Sequence, residues 1–141
     1  MSHRVADASA PISYAREVAS IRLARQHAGD LAGQLAGGSC VDAVRLLVTE
    51  LVTNSVRYAT GSQVRLRVAG DPQRVRVEVQ DDGPGFTGPR TPDPVNGGGY
   101  GLVLVDELAA DWGVNREADT TTVWFEVPCG EQSAGAALAA S

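Results

Sequence analysis

Apolar positions along the chain switch between helical and strand periods, and each switch marks an element. Over residues 13–37, Val18, Ile21, Ala24, Ala28, Leu31 and Leu35 recur close to the helical repeat. Gly37-Gly38 is a suitable stop, so the spacing predicts a helix over 13–37. Val44, Leu47, Val48, Leu51 and Val52 repeat the pattern more strongly over 41–59, and Asp42 near the start complements the helix dipole. The period then drops to two. Val64, Leu66 and Val68 alternate with Arg65 and Arg67, and Val75, Val77 and Val79 alternate with Arg74, Arg76 and Glu78. With Asp71-Pro72-Gln73 as the turn between them, these read as an antiparallel hairpin of half-buried strands.

Residues 82–99, DGPGFTGPRTPDPVNGGG, are too rich in glycine and proline for regular structure. A loop of that length inside a domain is usually functional or disordered. Leu102, Val105, Leu108 and Ala109 predict a third helix, ending near Asp111-Trp112-Gly113. A last hairpin follows over 113–118 and 121–127, where Val123, Phe125 and Val127 alternate with Trp124 and Glu126. This order predicts an α+β fold: a two-layer sandwich with helices on one face of a mixed, mostly antiparallel sheet. No repeat or linker divides the chain, so a single domain is expected over 13–128, with a flexible N-terminus (1–12) and a disordered tail (129–141) rich in Ala, Gly and Ser.

Composition narrows the function. The chain has 141 residues, 43% of them hydrophobic, which suits one soluble domain. No apolar run approaches the length of a membrane span, and MSHRVADASA lacks the apolar core of a secretory signal. Cys40 and Cys129 match no metal-ligand spacing, so a reducing cytoplasm is the default expectation. A net charge of -5, with twelve cationic residues spread along the chain, argues against nucleic acid as a partner. An anionic ligand remains possible if backbone amides, a metal and one or two arginines hold it.

Four constellations are candidates for chemistry. In TELVTNSVRYA, Glu50 and Asn54 stack at four-residue spacing, and Arg57 and Tyr58 extend the stripe. Such a stripe alone is more often a solvated face opposite Leu47 and Leu51. A carboxylate, an amide and a guanidinium in line can also serve a base, a metal and a phosphate. The second is Asp81-Asp82-Gly83-Pro84-Gly85. Alternation along the strand makes Asp81 continue the inward row of Val75, Val77 and Val79 and turns Asp82 outward. A polar turn accounts for Asp82 and the glycines. It does not account for Asp81, because an inward carboxylate is costly unless a donor meets it. The third is Gly97-Gly98-Gly99-Tyr100-Gly101, which opens the third helix and offers free amides to an anion or merely a hinge. The fourth is Thr120-Thr121-Thr122, where strand propensity explains the run but parity turns Thr121 inward with Val123 and Phe125.

Other chemistries fail. Gly83, Gly85 and Gly88 spell a dinucleotide fingerprint, but that motif needs a helix starting at the glycines. Pro84, Pro89, Pro92 and Pro94 forbid one, and the preceding strands form a hairpin. No Walker-type loop is present, and His3 and His27 lack partners at metal spacing. No Ser/His/Asp set can be assembled.

Taken in order, ELVTN, DDGPG and GGYGLVLV resemble the N-box and the two glycine boxes of the Bergerat-fold ATPases, the GHKL superfamily, over roughly residues 13–128. The superfamily includes histidine-kinase catalytic domains, gyrase-type ATPases and anti-sigma-factor serine kinases. The compact length, GLVLVDELAADWGV and the TTVWFEVP ending look most like the anti-sigma-factor branch. The resemblance implies that Asp81 accepts a hydrogen bond from the adenine amino group, with Gly83 and Gly85 shaping the pocket floor. It makes Asn54 the ligand of a phosphate-bridging Mg²⁺ and Glu50 the general base. Arg57 would contact phosphate, and Gly99, Tyr100, Gly101 and Leu102 would form the phosphate-binding helix start. Thr121 would support the adenine pocket, and residues 86–98 would be the lid. Tyr100 stands where many relatives carry arginine, and the N-terminal segment looks short for the edge strand with which relatives begin.

The function implied is a cytoplasmic regulatory serine kinase. It would use ATP and Mg²⁺ to phosphorylate an antagonist protein and would bind a sigma factor. The alternatives are a non-catalytic, ATP-dependent binding module and a detached histidine-kinase-type ATPase domain. Relatives often form homodimers, although no apolar stripe here demands one.

Overall fold

A computed structural model describes residues 10–82 and 107–129. Strand β1 (Ile12–Ala15) leads into helix α1 (Val18–Ala36), a short 3₁₀ turn and helix α2 (Val41–Tyr58). Strands β2 (Gln63–Asp71), β3 (Arg74–Asp82), β4 (Asp111–Glu117) and β5 (Thr120–Pro128) complete the described elements. The five strands lie in the order β1-β2-β3-β5-β4. Every described pairing is antiparallel, in line with the expected mostly antiparallel sheet of an α+β sandwich.

The patterning explains the layers. Helices α1 and α2 turn Ala24, Ala28, Ala32, Val44, Leu47, Val48, Leu51 and Val52 onto the sheet, where all are buried. The sheet answers with Val64, Leu66, Val68, Val75, Val77, Val79, Val123, Phe125 and Val127. The small residues of α1 let it approach closely, and large fully buried side chains such as Phe125 and Leu47 fill the interior. On the outer face Arg76 stacks 4.1 Å over the Trp124 ring and pairs with Glu78 and Glu126. The turn after β2 is closed by Asp71, whose Oδ1 accepts from the backbone amides of Gln73 and Arg74.

Three expectations need correction. The predicted helix over 13–37 begins only at Val18; residues 12–15 form an edge strand on β2, with Tyr14 opposite Val64. The N-terminal segment is therefore long enough for the edge strand. Helical spacing could not show this, because a four-residue strand adds one buried side chain, Tyr14, to an apolar series that runs on without a break. Its hydroxyl meets His27 Nδ1 at 2.7 Å, and burial raises its pKa. The helix stop at Gly37 holds: its φ is +78° and its amide donates to Gly33 O. Asp111-Trp112-Gly113, expected to end the third helix, instead opens β4, with Trp112 opposite Phe125. Residues 107–110 of that helix lie among the described ones; Glu107 and Leu108 are helical, and Ala109 and Ala110 are not.

The third correction concerns the cysteines. Cys40 and Cys129 form a disulfide with a Cα–Cα distance of 5.2 Å, across a sequence separation of 89. It ties the residue preceding α2 to the residue following β5. Disulfides persist mainly in oxidising compartments, so the default expectation of a reducing one gave no reason to look for it. Among the described residues, no helix is long and apolar enough to cross a membrane.

Candidate functional site

The inward valine row of β3 ends in a carboxylate. Val75, Val77 and Val79 are buried, and Asp81 follows them with 7% exposure. Asp82 turns to the outer face and pairs with Arg65 at 2.8 Å. Alternation along one strand thus separates two adjacent aspartates into a buried group and a neutralised surface group. Register places Thr121 of β5 directly opposite Asp81 on one side and Val64 of β2 on the other. Thr121 is 1% exposed, as its parity with Val123 and Phe125 requires.

Above this floor lies the C-terminal half of α2. Leu51, Asn54, Ser55, Tyr58 and Ala59 join Val79, Asp81 and Val123 around a narrow cleft of about 10 Å³. That is about the room one water molecule takes. Asn54 and Tyr58 lie one and two turns beyond Leu51, so the polar stripe borders the apolar one rather than standing opposite it. Glu50 is half-buried and Arg57 is exposed on the last turn. Neither lines the cavity. Gly83, Gly85, Gly99, Tyr100, Gly101, Leu102 and the lid over 86–98 lie outside the described residues.

Electrostatics single out Asp81. Burial removes water from its carboxyl and raises its pKa, with Asp82 adding to the rise; Ser55, Arg16 and Arg65 act in the opposite direction. The Ser55 hydroxyl lies near enough to favour the anion, yet it forms no hydrogen bond of acceptable geometry. Ser55 Oγ and Asp81 Oδ1 are both buried without a partner among the described residues. Buried polar atoms are nearly always paired, and an orphan costs roughly 1–3 kcal/mol. Both residues line the cleft, which makes it the candidate place for a ligand's polar groups. The carboxylate needs a donor, such as an exocyclic amino group. The serine hydroxyl can donate to or accept from the same ligand edge.

Two contributors carried no signal strong enough to single them out. Arg16 follows β1 and donates through Nη1 to Val56 O at 2.7 Å and through Nε to Gly61 O. It closes the open carbonyl end of α2 and sets a positive charge near Asp81. Nothing in its sequence neighbourhood announces a partner 40 residues away. Ser55 did leave a trace, as the one hydroxyl in the buried row of Val44, Leu47, Val48, Leu51 and Val52.

Fold and site together define a two-layer α+β domain with a cleft floored by a carboxylate, between one helix and the end of the central strands. A model of the histidine kinase-like ATPase domain family matches residues 14–127, and the chain belongs to that family. ATP binding comes with the family, and the orphaned acceptor under α2 suits it. No curated protein matches the chain.

Proposed function

We propose that Asp81 receives the adenine amino group of ATP and that the bound nucleotide serves a regulatory protein serine kinase of the anti-sigma-factor type. One observation carries the nucleotide assignment. Asp81 Oδ1 is a buried acceptor without a partner among the described residues, and Asp81 and Ser55 line the same cleft. Thr121 supports the floor from the neighbouring strand.

Asn54 borders the same cavity and offers a neutral oxygen, a donor type that Mg²⁺ accepts beside phosphate and water. Among the described residues no cluster of three His, Cys, Asp or Glu stands ready for a metal. One amide with phosphate oxygens is the donor set that fits. Mg²⁺ bound there would offset charge on the phosphates. Glu50, one helical turn before Asn54, would take the proton from a serine hydroxyl as that oxygen bonds to the γ-phosphorus and ADP departs. Arg57 would contact the phosphates. Gly83 and Gly85 would shape the floor, and Gly99, Tyr100, Gly101 and Leu102 would supply amides. The antagonist that receives the phosphoryl group and a sigma factor are the proposed partners.

Incubation with γ-labelled ATP, Mg²⁺ and candidate antagonists tests the kinase. Label should reach a serine, and Glu50→Gln should slow transfer by roughly 10²–10⁴-fold with ATP affinity kept. ATP bound tightly with no transfer to any protein would leave the binding-module reading standing. Label lost to water alone would favour the detached ATPase domain.

A further inference from the structure

Away from the nucleotide cleft, Arg22, Arg25 and Gln26 of α1 and Arg45 of α2 line a groove along the seam between the helices. All twelve cationic residues of the chain are arginines. Three of the sheet are engaged: Arg65 with Asp82, and Arg74 and Arg76 with Glu126. The three arginines of the seam form no ion pair among the described residues. Asp30 and Asp42 are exposed on the same two helices without pairing with them. Three like charges therefore sit together, uncompensated, in a chain whose net charge is -5.

The groove has a built element. Gly29 is buried inside α1, where glycine costs about 1 kcal/mol relative to alanine. A Cβ at Gly29 would lie 2.9 Å from Arg45 Cγ and 3.1 Å from Cδ, and would collide with Nε. The missing side chain is thus the seat in which the Arg45 stem lies against α1, beside the groove it lines with Arg22 and Arg25. An arginine held this way loses less freedom on binding a carboxylate than one waving in solvent. Arg22 also borders an adjoining groove with Ala19 and Leu23, and Leu23 is 47% exposed. Cationic and apolar surface are continuous.

We propose that this α1–α2 groove docks an acidic segment of a partner protein, its carboxylates on Arg22, Arg25 and Arg45 and an apolar side chain against Leu23. Charge complementarity selects the occupant: guanidinium forks match carboxylates two oxygens at a time, and the exposed leucine gives a peptide an anchor that a small anion lacks. None of the groove's residues lines the nucleotide cleft, so the proposal does not depend on the kinase reading.

The test uses the full chain and a fluorescein-labelled peptide of glutamates flanking a leucine, with its glutamine counterpart as control. The acidic peptide should bind, weaken as salt shortens the screening length, and outbind the control by roughly tenfold or more. Arg45→Gln should weaken it several-fold. Gly29→Ala is the sharper probe. It displaces the flexible Arg45 stem but adds a better helix former, so peptide affinity should fall while thermal stability holds and ATP affinity is unchanged. Equal binding of both peptides, or no effect of either substitution, would overturn the proposal. So would inorganic pyrophosphate binding more tightly than the peptide in an Arg45-dependent way, which would make the groove a small-anion site.

Discussion

The two ends of α2 pack against the same sheet and are built in opposite ways. At the N-terminal end Cys40 is bonded to Cys129, and Val44, Leu47 and Val48 are sealed in an apolar interior. At the C-terminal end the helix meets the sheet through Ser55 above Asp81 and Thr121, where Ser55 Oγ and Asp81 Oδ1 are buried without a partner among the described residues. The first end is crosslinked and satisfied; the second is open and unsatisfied. Dry apolar contact and a covalent tie supply stability that a binding site forgoes, because a site preorganised for a ligand is costly when empty.

The largest effect should come from cutting the tie. In the chain-entropy account, closing a loop of about 90 residues stabilises by about 4–5 kcal/mol. The Cys40→Ala/Cys129→Ala double variant should therefore show a much lower urea midpoint than the oxidised protein. Coincident midpoints would mean that the apolar end stands without its crosslink.

Asp81→Asn should act oppositely on the two functions of its end. Losing the anionic acceptor should weaken ATP binding by roughly 100-fold, about 2.7 kcal/mol, as read by calorimetry. The free protein should become more stable by about 0.5–2 kcal/mol, because a buried charge has gone. The gain should depend on pH. A carboxyl with a raised pKa holds its proton in the fold at pH values where the unfolded chain has lost it. Its contribution to stability is therefore greatest in acid and declines as pH rises from the ordinary aspartate value to the raised one. The advantage of Asp81→Asn should grow across that window and then level off. Equal stability differences at acid and neutral pH would remove Asp81 from its buried setting.

The same protonation should weaken ATP binding on acidification, at a pH above that expected of an ordinary aspartate, since a protonated carboxyl accepts poorly. Ser55→Ala is the mildest probe. Removing a hydroxyl without a partner should leave stability unchanged or raise it by up to ~1 kcal/mol, while ATP affinity falls several-fold. A clear loss of stability would show that Ser55 is satisfied in the free protein and would weaken the contrast between the two ends.

Much of this was readable in one dimension. Strand alternation separated Asp81 from Asp82 and paired Asp81 with Thr121 on one face without reference to any structure. Helical period placed α2 to within a residue of its observed end. The four-residue strand β1 was hidden, since its single inward residue, Tyr14, extends the helical series that follows. Ser55 was legible only as a hydroxyl in an apolar row, which propensity alone excuses.

What the sequence determined was periodicity, and periodicity decides which side of an element a residue faces, because side-chain direction is set by the local backbone. It decided the layers, the inward carboxylate and the hairpin turns. Partnership across the fold was decided by tertiary structure alone. The closure of α2 by Arg16, the union of Cys40 with Cys129 and the seating of Arg45 on Gly29 join positions whose spacing carries no information. Such contacts form only when packed layers bring them within a few ångströms.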